Sequence, residues 1–388
     1  MARRPLKIGI MLSTTGPYAT VGRAMLAGAQ LAIDEVNDGG ECPFELQPRI
    51  VNPGGQLASY LAIARSMLAE EGILHVLGCY TSSSRKEVLP LFEKHDGLLW
   101  YPSHYEGFET SDNVIYTGAA PNQHVIPLAR HLLAHHGASA FLVGSNYIWG
   151  WENNRIMREL LHGEGGRVLG ERYLPVGETD LGDIVEQIVE ARPAFVFNTL
   201  IGTSSYAFLR ELRAAATALG IDQPRVMPVA SCSLAEPELA EIGRESADGH
   251  LSSSVYFASI DTPANRRFVA AWRRRFPELG TTSADAETAY IAIHFLGRAL
   301  RLAGEPGLDA VREAAAGLSL VAPQGRVTID AENRHCHMRP RIGRSTAEGE
   351  FELIYAAPEP VRPDPYLVWQ DGASVPGRSP WPGLRVVS

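Results

Sequence analysis

The chain has 388 residues, 45% hydrophobic and 20% charged, the composition of a soluble globular protein. It is too long for one ordinary core and suits two domains. A formal net charge of −9 repels phosphate backbones and argues against direct nucleic-acid binding. No stretch approaches a transmembrane span.

The opening Met1-Ala2-Arg3-Arg4-Pro5 has neither an apolar leader core nor a small-residue cleavage site. With Met1 as the native start, the expectation is a cytoplasmic protein. Removal of a leader would leave a similar opening, placing the protein in the periplasm or outside the cell. From there strands alternate with amphipathic helices. Residues 7–12 form a strand, and 22–36 a helix with Met25, Leu26, Ala29, Ile33 and Val36 on one face. Residues 44–51 form a strand, 57–71 a helix and 73–79 a strand. Ser84-Arg85-Lys86-Glu87 has the capping-box pattern and opens a helix to about His95. Strands follow at 98–101 and 114–118. This alternation predicts a parallel sheet covered by helices.

The pattern restarts with a helix over 123–136, strands at 140–144, 168–175, 194–199, 225–230 and 251–256, and a clear helix at 204–219. Helices at 265–276 and 284–302 exceed what a second lobe needs, so the chain is expected to return and cover the first. Arg273-Arg274-Arg275, beside Phe268, Val269 and Trp272, reads as a solvated helix face. From about Val327 the chain is β-rich with Pro-rich loops, and Phe351, Leu353, Ile354 and Tyr355 call for burial. The expected fold class is α/β, with two doubly wound lobes and a ligand cleft between them. The first lobe takes 1–121 plus about 257–326, the second 122–256 plus about 327–388.

An open α/β sheet binds its ligand beyond the carboxyl ends of its strands. At such edges lie Ser13-Thr14-Thr15-Gly16, Tyr80-Thr81-Ser82-Ser83-Ser84 and Tyr101 to Tyr105 in the first lobe. In the second they are Ser145 to Trp151, Leu200 to Ser205 and Ser231 to Leu234. Tyr80, Tyr101, Tyr105, Tyr147, Trp149 and Trp151 put aromatic rings with polar tips around a small site. Residues 81–84 bring hydroxyls to a helix N-terminus, where an acceptor oxygen is welcome. Ser84 is expected to cap that helix. Ser82 stands evenly between capping and ligand contact.

No nucleophile with its base, nucleophile elbow, phosphate loop or dinucleotide pattern is found, so no catalytic residue, cofactor or metal is assigned. Ser83-Ser84-Arg85-Lys86 has a Ser-x-x-Lys spacing without its companion motifs. Cys42, Cys79, Cys232 and Cys336 have no metal or redox spacing. Cys79 and Cys232 at strand ends read as reduced, and a Cys42–Cys79 bridge stays open for an oxidising compartment. In a strand, His335 and His337 would face one way and Cys336 the other, which argues against a shared metal.

Three segments then resemble a known family. They are Gly78-Cys79-Tyr80-Thr81-Ser82-Ser83-Ser84-Arg85-Lys86, Tyr101-Pro102-Ser103-His104-Tyr105-Glu106-Gly107 and Tyr116-Thr117-Gly118-Ala119-Ala120-Pro121-Asn122-Gln123. They look like the amide and urea receptors of the type I periplasmic-binding-protein fold. The similarity runs nearly end to end, through Ser259-Ile260-Asp261-Thr262-Pro263, Ala322-Pro323-Gln324-Gly325 and Pro358 to Tyr366. It implies ligand contacts from Tyr80, Ser82, Tyr101 and Ser103 on one lobe and from Tyr147, Trp149, Cys232 and Ser233 on the other. Trp149 stands where the short-chain amide sensor tends to have Tyr. Ser103-His104 and Cys232-Ser233 replace its Thr-Pro and Thr-Thr pairs. Urea receptors tend to carry Trp in place of Tyr80. The resemblance implies a sensor for a small neutral amide that releases an RNA-binding antitermination regulator of an amidase operon. The alternative is a receptor feeding an ABC permease with short-chain amides or urea. Homo-oligomerisation stays open.

Overall fold

Runs that are apolar on both faces, such as Leu98-Leu99-Trp100-Tyr101, belong in a parallel sheet covered on both sides. The computed structural model, which describes residues 3–368, places them so. The first sheet contains β1 (Arg4–Met11), β2 (Phe44–Val51), β3 (His75–Gly78), β4 (Leu98–Tyr101) and β5 (Val114–Tyr116). All are parallel, in the order β2-β1-β3-β4-β5. The second repeats that winding with β6 (Ser139–Ser145), β7 (Arg167–Leu174), β8 (Phe195–Thr199), β9 (Val229–Ser231) and β10 (Leu251–Ser254), in the order β7-β6-β8-β9-β10. A three-stranded antiparallel sheet follows: β11 (Ser319–Ala322), β12 (Gly325–Ile329) and β13 (Cys336–His337). The chain then adds β14 (Arg341–Ser345) and β15 (Phe351–Ala356) antiparallel to the edge of the second sheet at β10.

The helix Ala284–Ala303 lies against the helix Ala19–Gly39. They approach so closely that a Cβ on Gly28 would stand 2.1 Å from the Ala286 carbonyl oxygen. The chain thus returns to the first sheet's helical layer after completing the parallel part of the second.

Several elements differ from the pattern reading. The expected strand at 225–230 is a short helix, Gln223–Val226, followed by β9; Pro224 in its first turn suits helix entry. The helix expected over 57–71 is α-helical over Leu57–Arg65 and widens to a π-turn over Ser66–Glu70. The cap before the Ser82–Lys94 helix is Thr81, whose side chain accepts the Ser84 N–H at 3.2 Å; Ser84 lies inside the helix. Leu353 and Tyr355 are exposed, not buried, because β15 is an edge strand; Phe351 is buried and Ile354 packs partly buried against the core. All four cysteines are free and buried, with no Cys42–Cys79 bridge. Cys42 packs in the main core, Cys79 in a separate cluster. His335 precedes β13 and so does not share a strand face with His337. His335 stacks on Tyr116, centroids 4.0 Å apart, whereas His337 meets Asp330 at 3.0 Å.

Candidate functional site

In both sheets the winding reverses next to the first strand, between β1 and β3 and between β6 and β8. A sheet parts its loops there and leaves a crevice at its carboxyl edge. The loops after β3, β4, β6 and β8 all contribute to one cavity between the lobes, lined by Tyr80, Ser82, Ser103, His104, Tyr147, Trp149 and Ile201. Its empty volume is about 180 Å3. A second chamber of about 290 Å3 shares His104 and continues to His124, Cys232, Ser254 and Asp285. Both lie below the usual range for small-molecule sites.

The lobes are closed over this space. Thr203 N–H in the second donates to the Pro17 carbonyl in the first at 3.0 Å. Thr20 Oγ1 donates to Glu241 Oε1 at 2.8 Å.

Local backbone choices aim the loops. Cys79 sits at φ 65°, a left-handed conformation that is unfavourable for a side-chain-bearing residue and found at functional turns. It turns the chain between the end of β3 and Tyr80. Gly118 lies beneath the loop after β4, and a Cβ there would fall 2.0 Å from the Ser103 carbonyl oxygen.

Of the sequence-derived residues, the structure brings Tyr80, Ser82, Ser103, Tyr147 and Trp149 together. The hydroxyls of Tyr80 and Tyr147 make no hydrogen bond among the described residues, and Trp149 Nε1–H is buried without an acceptor there. Cys232 lines the neighbouring chamber. Burial pushes its thiol pKa upward, which keeps it a neutral, inert group. Ser233 lies behind it, its Oγ 3.1 Å from Ser231 Oγ. Tyr101 also stands behind the wall and donates its hydroxyl to the Tyr80 carbonyl at 2.9 Å. Trp151 is exposed and donates to Asn146 Oδ1 at 3.0 Å, outside the cavity lining.

Behind Ser82 lies a buried ion network. Arg85 is fully buried, with Nε 2.6 Å from Glu109 Oε1 and Nη2 3.2 Å from Glu106 Oε1. Its guanidinium lies 4.7 Å from the ring centroids of both Tyr101 and Tyr105. Lys86 Nζ adds 2.9 Å to Glu109. Ser82 Oγ hydrogen-bonds Glu106, so the hydroxyl at the cavity wall is held by a charged group.

Sequence reading did not single out His124 or Asp285, and named His104 only within the Tyr101–Tyr105 edge and the Ser103-His104 pair. Burial, with repulsion from His124, lowers the His104 pKa to about 3; burial lowers that of His124 to about 4. Both rings are therefore neutral at pH 7. Asp285, in the first turn of the Ala284–Ala303 helix, has its pKa raised to about 7 by burial. Two carboxylates, Asp285 and Glu287, in the first turn of a largely buried helix were the available signal.

The model of the periplasmic binding protein domain family matches residues 6–371. The Leu/Ile/Val-binding protein homolog 6 of Brucella abortus is 26% identical over 337 residues, covering 85% of each chain. A solute binding protein of an ABC transporter from R. palustris, solved with 4-hydroxybenzoate, has 20% identity and a TM-score of 0.82, over 92% of this chain and 98% of that one. The branched-chain amino acid transporter substrate binding protein of Streptococcus pneumoniae, solved with isoleucine, has 17% identity and a TM-score of 0.79, over 93% of this chain and all of that one. With two α/β lobes meeting at one cleft, the chain has the type I periplasmic-binding-protein fold and belongs to the periplasmic binding protein domain family, as a ligand-binding protein.

Proposed function

We propose that this chain is the substrate-binding protein of an ABC transporter and closes its lobes on a small ligand. The carrying observation is the inter-lobe cavity, walled by strand-end loops of both sheets, with unengaged hydroxyls and an indole N–H on its walls. The two solved relatives named above, each a transporter binding protein, support this reading. A sensor that releases an RNA-binding antitermination regulator rests on the sequence resemblance alone, and no relative named above supports it. A receptor of this kind works outside the cytoplasmic membrane, so this reading replaces the cytoplasmic expectation. Among the described residues no helix is long and apolar enough to cross a membrane.

For the ligand, the small volume favours a compact molecule such as a short-chain amide or urea. Tyr80, Ser82, Ser103, Tyr147 and Trp149 would touch it, Cys232 would close the far side, and Tyr101 and Ser233 would act through their neighbours. The one cationic side chain next to Ser82, Arg85, is already engaged by two carboxylates, which disfavours an anion. The lobe boundaries near 121, 256 and 326 are the proposed hinge crossings.

Calorimetry against acetamide, propionamide, butyramide, urea, isoleucine and 4-hydroxybenzoate tests the reading. Binding of at least one, with compaction in small-angle scattering, is the expected result. Silence from all of them would overturn it.

A further inference from the structure

We propose that the chamber at His124 and Asp285 holds the nitrogen end of the ligand, an N–H-bearing group. This rests on the receptor reading above and assigns the ligand's polarity within it.

The two ends differ in what they offer. His124 Nε2 lies 2.9 Å from the Tyr105 carbonyl oxygen. A carbonyl only accepts, so Nε2 carries the proton and Nδ1 is left as a lone-pair acceptor. That Nδ1 is buried, on a residue only 1% exposed, and has no partner among the described residues. Asp285, 6% exposed, lines the same chamber. Its carboxyl meets only the N–H of its own residue, and no other side chain among the described residues donates to it. The chamber therefore presents two unpartnered acceptors, which call for donors.

At the other end the unsatisfied group is a donor, Trp149 Nε1–H. The ends are joined by a run of rings. Trp149 lies 5.3 Å from His104, and His104 5.7 Å from His124, centroid to centroid. A ligand that presents N–H groups satisfies the chamber. An amide or urea NH2 and an alkylammonium share that donor chemistry. The ammonium gains more from Asp285, whose charge also acts on Glu236 and Glu238 of the second lobe.

The test is calorimetry at pH 8 with acetamide, its N–H-free analogue acetone, ethylammonium, acetate, isoleucine and 4-hydroxybenzoate. The proteins are wild type, Asp285→Asn and the similarly sized Asp285→Leu. Wild type should bind an N–H probe at least tenfold more tightly than acetone or acetate. Asp285→Leu should lose about ten- to hundredfold for that probe. It should melt no lower than wild type, because it removes a buried carboxylate that has no cationic partner. If ethylammonium binds best and Asp285→Asn abolishes it, the group held is an ammonium. If acetamide binds best and Asp285→Asn costs only a few-fold, it is a neutral amide. Acetone matching acetamide in wild type, or both variants binding acetamide, ethylammonium and isoleucine as wild type does, would overturn the assignment while leaving the receptor reading standing. Binding of 4-hydroxybenzoate alone would do the same. Only silence from every probe would take the receptor reading down with it.

Discussion

Arg85→Met removes the centre of the buried network while keeping most of the side chain's bulk. Glu106, 1% exposed, would keep only the more distant Lys86 ammonium at 3.7 Å, and Glu109 would keep Lys86 at 2.9 Å and the Tyr116 hydroxyl at 2.9 Å. Breaking a buried pair by deleting one partner costs about 3–5 kcal/mol. The two ring contacts at 4.7 Å add to this, at roughly 0.5–2 kcal/mol each. Partial protonation and water entry offset part of that sum, so about 4 kcal/mol is the working figure. For lobes of this size 1 kcal/mol moves the melting temperature by about 2–4 °C, so the expected fall is about 10 °C. Thermal unfolding followed by circular dichroism at pH 7 measures it. Burial alone would raise the Glu109 pKa, but the charge of Arg85, with Lys86, outweighs burial and holds it at about 2. A lowered carboxylate pKa contributes stability that is present above the unfolded value and lost as pH falls through the folded one. The gap between wild type and variant should therefore narrow from about pH 4.5 down to 2. Ligand affinity should also drop about tenfold, since Glu106, which holds Ser82, would lose the Arg85 guanidinium that fixes its other oxygen. A variant melting within about 2 °C of wild type at pH 7 would refute this account of the network.

Trp149→Phe keeps an aromatic ring but removes the N–H with the five-membered ring, so it should weaken a carbonyl-bearing ligand about tenfold with a small loss of melting temperature for the space left in the core; unchanged affinity in calorimetry would place the oxygen elsewhere. Burial raises the pKa of Asp285 and Glu236 to about 7 and of Glu238 to about 8. Their contribution is present below the unfolded carboxyl pKa and fades as pH rises through 7–8. Burial lowers His75, His124 and His250 to about 4 and His104 to about 3, and their contribution fades as pH falls below the unfolded value near 6.5. The melting temperature should thus peak near pH 6, and a profile still rising at pH 8.5 would contradict the burial of those carboxyls. All four thiols should react with a disulfide reagent only after denaturation, and dithiothreitol should leave the melting temperature unchanged; fewer than four thiols in unreduced, denatured protein would reveal a bridge.

The alternation of apolar runs and amphipathic helices, a local property, carried the fold class. Tyr80, Ser82, Ser103, Tyr147 and Trp149 were legible because loops at carboxyl strand ends in such a sheet converge on one crevice. Boundaries failed where local signals compete: Pro224 starts a helix inside an apolar run, and an edge strand leaves Leu353 and Tyr355 in solvent. What no local pattern carries is distance between residues far apart in the chain. Arg85 meets Glu106 and Glu109 across 21 and 24 positions, and Asp285 reaches a chamber with His104 only because its helix returns to the first lobe. Sequence alone determined which residues stand at strand ends. Tertiary packing decided which of them keep a free polar group. That is set by whether another part of the chain supplies a partner, as the Tyr80 carbonyl does for Tyr101 and as nothing among the described residues does for Trp149 Nε1.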